Sequence, residues 1–217
     1  MNVARAGERR QRREGRPTPA EAEQLDRDVH EQALRLFLEH GYEGTSMDAI
    51  ARAAGTTKMS LYARFTNKEE LFNNVLWWAL QNPDWPEPEP AVPDSDDLRG
   101  ALMAFAEAAS RRALHPSMVK LSRIAAAHAL RFPEIARRTH AVGFSRRSQV
   151  LVELLKRHVA AGAIVTEDVG MAAEHFLAMV SGGPARLASF GIVRDADGQR
   201  RRLRMAVDLF LRGLRPD

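Results

Sequence analysis

Between Gly41 and Leu71 this chain stops and restarts a helix three times, and a hydroxyl or amide side chain announces each restart. Thr45 and Ser46 precede Met47, Ile50, Ala51 and Ala54, which recur at i, i+3, i+4 and i+7. Gly55 ends that short helix, and Thr57 caps the next, on which Leu61 and Phe65 face inward. Asn67 with Glu70 opens a longer helix that runs to about Asn82 and stops before Pro83. Upstream, Thr18-Pro19-Ala20-Glu21 fits a capping box with proline at the first helical position. Val29, Ala33, Leu36 and Phe37 then recur at helical spacing, and Gly41 ends that helix. Two short helices joined at Gly55 and packed by a third in front describe a helix-turn-helix.

Beyond the Pro-rich acidic stretch PDWPEPEPAVPDSDD at 83–97, a stiff surface loop, helical patterns resume over 96–114, 116–130, 133–161, 168–190 and 197–214. Gly182-Gly183-Pro184 is expected to kink or break its helix. No strand-like alternation persists, so the chain reads as all-α, with about nine helices: a three-helix head at 18–66 and a larger helical body at 67–217. In the last helix Leu203, Ala206, Phe210 and Leu214 make one stripe, and Met205 and Leu209 flank it. A helix apolar on more than one side needs burial on two, which predicts a twofold homodimer through the last two helices.

The chain has 217 residues and 45% apolar content, enough for a core, and no apolar run long enough to span a membrane. The N-terminus lacks the apolar stretch of a signal peptide, and with no cysteine a cytoplasmic location is expected. The net charge of +4 is uneven. Residues 1–17 hold six arginines and two glutamates, leaving basic and acidic residues in balance elsewhere. Such an arm, expected to be disordered, suits a polyanion or serves as a solvated tail. If it meets DNA, Arg16 enters the minor groove.

The recognition helix TTKMSLYARF carries the chemistry of a DNA interface. A short helix fits the major groove. There Lys58 and Arg64 neutralise phosphate or donate to guanine, and hydroxyls donate to phosphate oxygens. Met59 and Ala63 permit close approach and touch thymine methyls. Lys68, at the start of the fourth helix, is a cation where the helix dipole disfavours one, which argues for an anionic partner.

GYEGTSMDAIARAAGTTKMSLYARFTNKEELF resembles the DNA-binding signature of TetR-type transcriptional regulators over about residues 20–80, and LRFPEIARR at 130–138 is similar to a stretch in the body of a subset of them. The resemblance implies a homodimeric regulator, usually a repressor, on a palindromic operator, with a body pocket for a small effector and no enzymatic activity. By position it implies that Tyr62 and Lys68 contact phosphate, and that Thr45, Thr57 and Lys58 reach the DNA backbone. Lys58, Met59, Ser60, Ala63 and Arg64 would face bases or sugars, with Ser46 also at the interface. Met59 departs from the pattern, which usually has a small residue there.

Trp77, Trp78, Phe105, Met118, His128, Phe132, Phe144, Phe176 and Met179 are candidates to line the pocket, and imply a mainly apolar or aromatic effector. The same residue types at helical spacing also build ordinary core. The histidines lack metal-site spacing, and no metal or cofactor is expected. Two other classes stay open: a DNA-binding architectural protein without an effector, and an all-α enzyme with a helix-turn-helix-like head. For the enzyme the chain offers no P-loop, nucleophile elbow or cysteine.

Overall fold

The computed structural model describes residues 18–82, 85–86, 88, 91, 96–130 and 133–215, with the side chains of 134–146 excepted. Every element among them is helical: α1 (Pro19–His40), α2 (Met47–Ala53), α3 (Lys58–Arg64), α4 (Lys68–Gln81), α5 (Leu98–Leu114), α6 (Pro116–His128), α7 (Pro133–Ala160), α8 (Val169–Leu177), α9 (Gly183–Ser189) and α10 (Ala196–Gly213). A π-helical segment, Ala178–Gly182, joins α8 to α9, with helical dihedrals at Leu177, Ala178, Gly182 and Gly183. The two are therefore one rod, and the described residues form nine rods.

Gly182-Gly183-Pro184, expected to kink or break its helix, does not break it: a π turn, itself a site where helices kink, carries the chain through. Pro184 has no N–H, and its ring would clash with the carbonyl four residues back in a regular α-helix. The π turn opens the ladder instead. Gly183 N–H reaches back five residues to Ala178 O, and Arg202 of α10 donates Nη2 to the freed carbonyl of Met179. Burial pushes the Arg202 guanidinium below its ordinary pKa, and Arg194 adds to the effect.

The caps set the helix ends. Thr18 and Glu21 form the capping box, and Ser46, Thr57 and Asn67 each accept an amide at the start of α2, α3 and α4. Between α2 and α3, Gly55 takes φ +64°, Thr56 N–H bonds Ala51 O, and Gly55 N–H bonds Arg52 O. This pair of bonds closes α2 and needs a left-handed residue between them, which glycine supplies at no steric cost.

Two apolar clusters form the core. The first holds α1, α2, α3 and α4, with Phe37, Ile50, Leu61 and Phe72 at its centre, and takes Leu121 from α6. The second holds residues of α5, α7, α8 and α10, with Phe105, Leu154, Phe176 and Val207 buried. Helix α4 packs on α1 and on α7, so it belongs to both halves. Helix α6 ties them again: His128 lies against Tyr42 and Phe72, while Arg123 donates to the carbonyls of Ala188 and Ser189 at the end of α9. A guanidinium there adds a donor to the last carbonyls of the helix and suits the negative end of the dipole.

Candidate DNA-binding site

Helix α3 buries Leu61 and, just past its end, Phe65, which leaves its other side to solvent. Thr57, Lys58, Met59, Tyr62 and Ala63 lie on that open side, and Ser60 is half-buried beside them. Met59 is 81% exposed and Tyr62 44%. Thr57 Oγ1 accepts the amide of Ser60, and Ser46 Oγ accepts that of Ala49, so both hydroxyls cap helices on the open face.

The cations are already engaged. Lys58 Nζ lies 2.8 Å from Asp48 Oδ1 on α2 and 5.9 Å from the centroid of the Tyr62 ring. The hydrogen bond to Asp48 and its charge hold the Lys58 ammonium above its ordinary pKa. Arg64, expected to face a base or sugar, turns back to α1, where Nη1 donates to Asp26 Oδ1 at 3.2 Å. Residue 64 falls on the side of α3 that meets the domain, and the nearest carboxylate takes it.

Lys68 is also engaged within the head. Its Nζ donates to Tyr42 O at 2.9 Å and Thr45 O at 3.1 Å, and sits 4.3 Å from the centroid of the Tyr42 ring. Two carbonyls, an aromatic face and Glu43 at 3.9 Å account for a cation at a helix N-terminus without any bound anion. Thr45 is buried, and its hydroxyl donates to Leu36 O and Gly41 O, which withdraws the side chain from the surface. Arg16 lies outside the described residues.

Behind α3, His30 is buried. Its Nδ1 donates to Asp26 O at 2.7 Å, and its ring lies 5.6 Å from Trp78 and 6.0 Å from Phe65, centroid to centroid. Asp26 thus meets both the end of α3 and the ring that carries α4. Nothing local in the sequence marks Asp48 and Asp26 as anchors for Lys58 and Arg64. No spacing rule links residues 48 and 58, or 26 and 64, because each pair joins different helices.

The described pocket candidates divide between the two cores. Trp78 packs against the head cluster and His128 meets its rings at a tilt, whereas Phe105 and Phe176 are fully buried in the body, 6.4 Å apart. Trp77 and Met118 are half-buried on α4 and α6. Phe132 and the side chain of Phe144 lie outside the described residues. Met179 alone of the described candidates borders a groove of about 930 Å³ between α8 and α10, with Met171, His175, Leu209 and Phe210. Among the described residues, no group of three or more His, Asp or Glu side chains converges to hold a metal ion, and no helix is long and apolar enough to cross a membrane.

Short α2 and α3 meet at a left-handed glycine, α1 stands in front of them, and one face of α3 is held open: this is the class of helix-turn-helix DNA-binding regulators. The comparisons narrow it. Residues 30–75 match the family model "Bacterial regulatory proteins, tetR family", and residues 100–214 match "AefR-like transcriptional repressor, C-terminal domain". The chain belongs to the TetR family of transcriptional regulators. Among curated relatives, the HTH-type transcriptional repressor ComR of Escherichia coli K12 is 49% identical over 53 residues, 24% of this chain and 25% of that protein. The match thus spans about a quarter of that relative's length. Solved structures match nearly end to end. A TetR-family regulator from Mesorhizobium loti superposes with a TM-score of 0.79 at 26% identity, covering 92% of this chain and all of that one. The flavonoid-responsive regulator FrrA superposes at 0.72 with 32% identity, covering 90% and 98%.

Proposed function

We propose that this regulator is a repressor that binds a palindromic operator as a homodimer and leaves it when a mainly apolar, aromatic effector binds the body. The observation that carries the reading is the uncovered apolar face of α8 and α10. Leu203, Ala206, Phe210 and Leu214 are buried against the body, while Met205 is 66% and Leu209 55% exposed on the opposite side, beside exposed Met171. An apolar surface of this kind is covered in solution. A second copy brings the same face and pairs the two recognition helices for half-sites about 34–36 Å apart.

Repression is supported by the relatives whose names describe repressors, ComR and the probable acrEF/envCD operon repressor among them. The effector class is supported by likeness to FrrA, a regulator titled flavonoid-responsive. A ligand that favours one spacing of the heads weakens operator binding only by its differential affinity for that state.

Sedimentation at micromolar concentration is expected to give a dimer, and Leu209→Glu a folded monomer with reduced operator affinity. A monomeric wild-type protein defeats the assembly reading. Operator-bound protein titrated with a panel of planar aromatics is expected to release DNA as its tryptophan fluorescence changes. Release by charged metabolites alone overturns the effector class, and release by no compound points to DNA binding without an effector.

A further inference from the structure

We propose that Met59 reads the C5-methyl group of a thymine in the major groove, so that each operator half-site places a thymine against the first turn of α3. The inference rests on the reading that α3 enters that groove. Met59 is the most exposed large apolar side chain of the head, at 81%, and stands in the first turn of α3. Ala63, four residues on, is exposed on the same face and brings no polar atom. Three of their polar neighbours are engaged within the head, and Ser60 and Tyr62 flank them with hydroxyls. Lys58 is drawn to Asp48, Arg64 to Asp26, and the hydroxyl of Thr57 caps the helix.

The middle of the face therefore offers a thioether chain and a methyl group. Neither donates a hydrogen bond, and the thioether is a weak acceptor. They match no donor-acceptor pattern of guanine, cytosine or adenine. The feature of a base edge that suits them is the thymine methyl. An unbranched, polarizable side chain adapts to that contact without a fixed rotamer. A small residue at position 59 would leave the methyl untouched, so this preference belongs to this chain's own side chain rather than to the helix-turn-helix frame.

The test starts from duplexes enriched by the wild-type protein from a random pool. The consensus duplex is then remade with deoxyuridine replacing thymidine, one position per half-site at a time. One position is expected to lower wild-type affinity about fourfold per half-site, the scale of one methyl removed from an apolar contact. Met59→Gln, which keeps length and at so exposed a position is expected to melt like the wild type, is expected to bind the thymine and uracil duplexes alike. Wild-type protein that tolerates uracil at every thymine overturns the proposal while leaving operator binding intact. So does a Met59→Gln protein that keeps the full methyl sensitivity. If no consensus emerges from the pool, the operator reading fails first and takes this proposal with it.

Discussion

Lys58 and Asp48 are joined across the helix-turn-helix: the ammonium that opens α3 rests 2.8 Å from the carboxylate in the first turn of α2. Both side chains are more than half exposed, so the pair itself adds little stability. Its consequence lies in what Lys58 is free to do. A cation with a nearby carboxylate gains less from a phosphate than a bare one, and that discount applies on every DNA sequence. Asp48 thereby trims the sequence-independent part of binding, which raises the share carried by base contacts.

Asp48→Asn is expected to increase affinity for random duplex and to steepen the salt dependence by about 0.9 log units if Lys58 gains one phosphate. The ratio of operator to random affinity is expected to fall. Fluorescence anisotropy over a range of salt concentrations measures both, and an unchanged slope with unchanged random affinity would remove Asp48 from this role.

Arg64 and Asp26 fix α3 to α1 from behind. Arg64→Ala and Asp26→Asn are expected to weaken operator binding to similar degrees, with the double variant little worse than either. The coupling should be about 0.2–1 kcal/mol, the range of a partly exposed ion pair. A base-reading Arg64 would behave differently. Its loss would relax discrimination at one base pair, and Asp26→Asn would not reproduce that. A binding series over single-base variants of the operator separates the two.

Lys68 holds the α1–α2 turn by the carbonyls of Tyr42 and Thr45. Lys68→Met keeps the apolar stem and removes the charge. It is expected to destabilise the protein without DNA by about 1–3 kcal/mol, because the carbonyls lose a charged donor. Urea unfolding reads this directly. A lysine that served only a phosphate would leave the curve where it was and change only the DNA titration.

Tyr62 presents an exposed ring and hydroxyl beside Lys58 on the open side of α3. Tyr62→Phe is expected to weaken binding to all duplexes alike by about 0.5–1.5 kcal/mol, as the loss of one phosphate hydrogen bond would. Unchanged affinity on operator and random duplexes would take Tyr62 off the contact surface.

The sequence by itself determined the local grammar of this protein. Caps at Thr18, Ser46, Thr57 and Asn67, the glycine between α2 and α3, and the spacing of Leu61 and Phe65 are set by neighbours within a few residues, so they can be read in order along the chain. The two faces of α10 were legible for the same reason: buried Leu203, Ala206 and Phe210 and exposed Met205 and Leu209 follow helical periodicity. Tertiary structure decided which polar side chains of the head already have partners within it. Thr45, Arg64 and Lys68 look unpartnered in a linear reading, yet in the folded chain each bonds a carbonyl or carboxylate of another segment. It also decided that Gly182-Gly183-Pro184 would stay in a rod, because Arg202 arrives from α10 to take the carbonyl that the π turn releases. The aromatic candidates divided between two cores for the same physical reason. Helical spacing tells which residues share a face, but the partner of that face is set by how the rods pack.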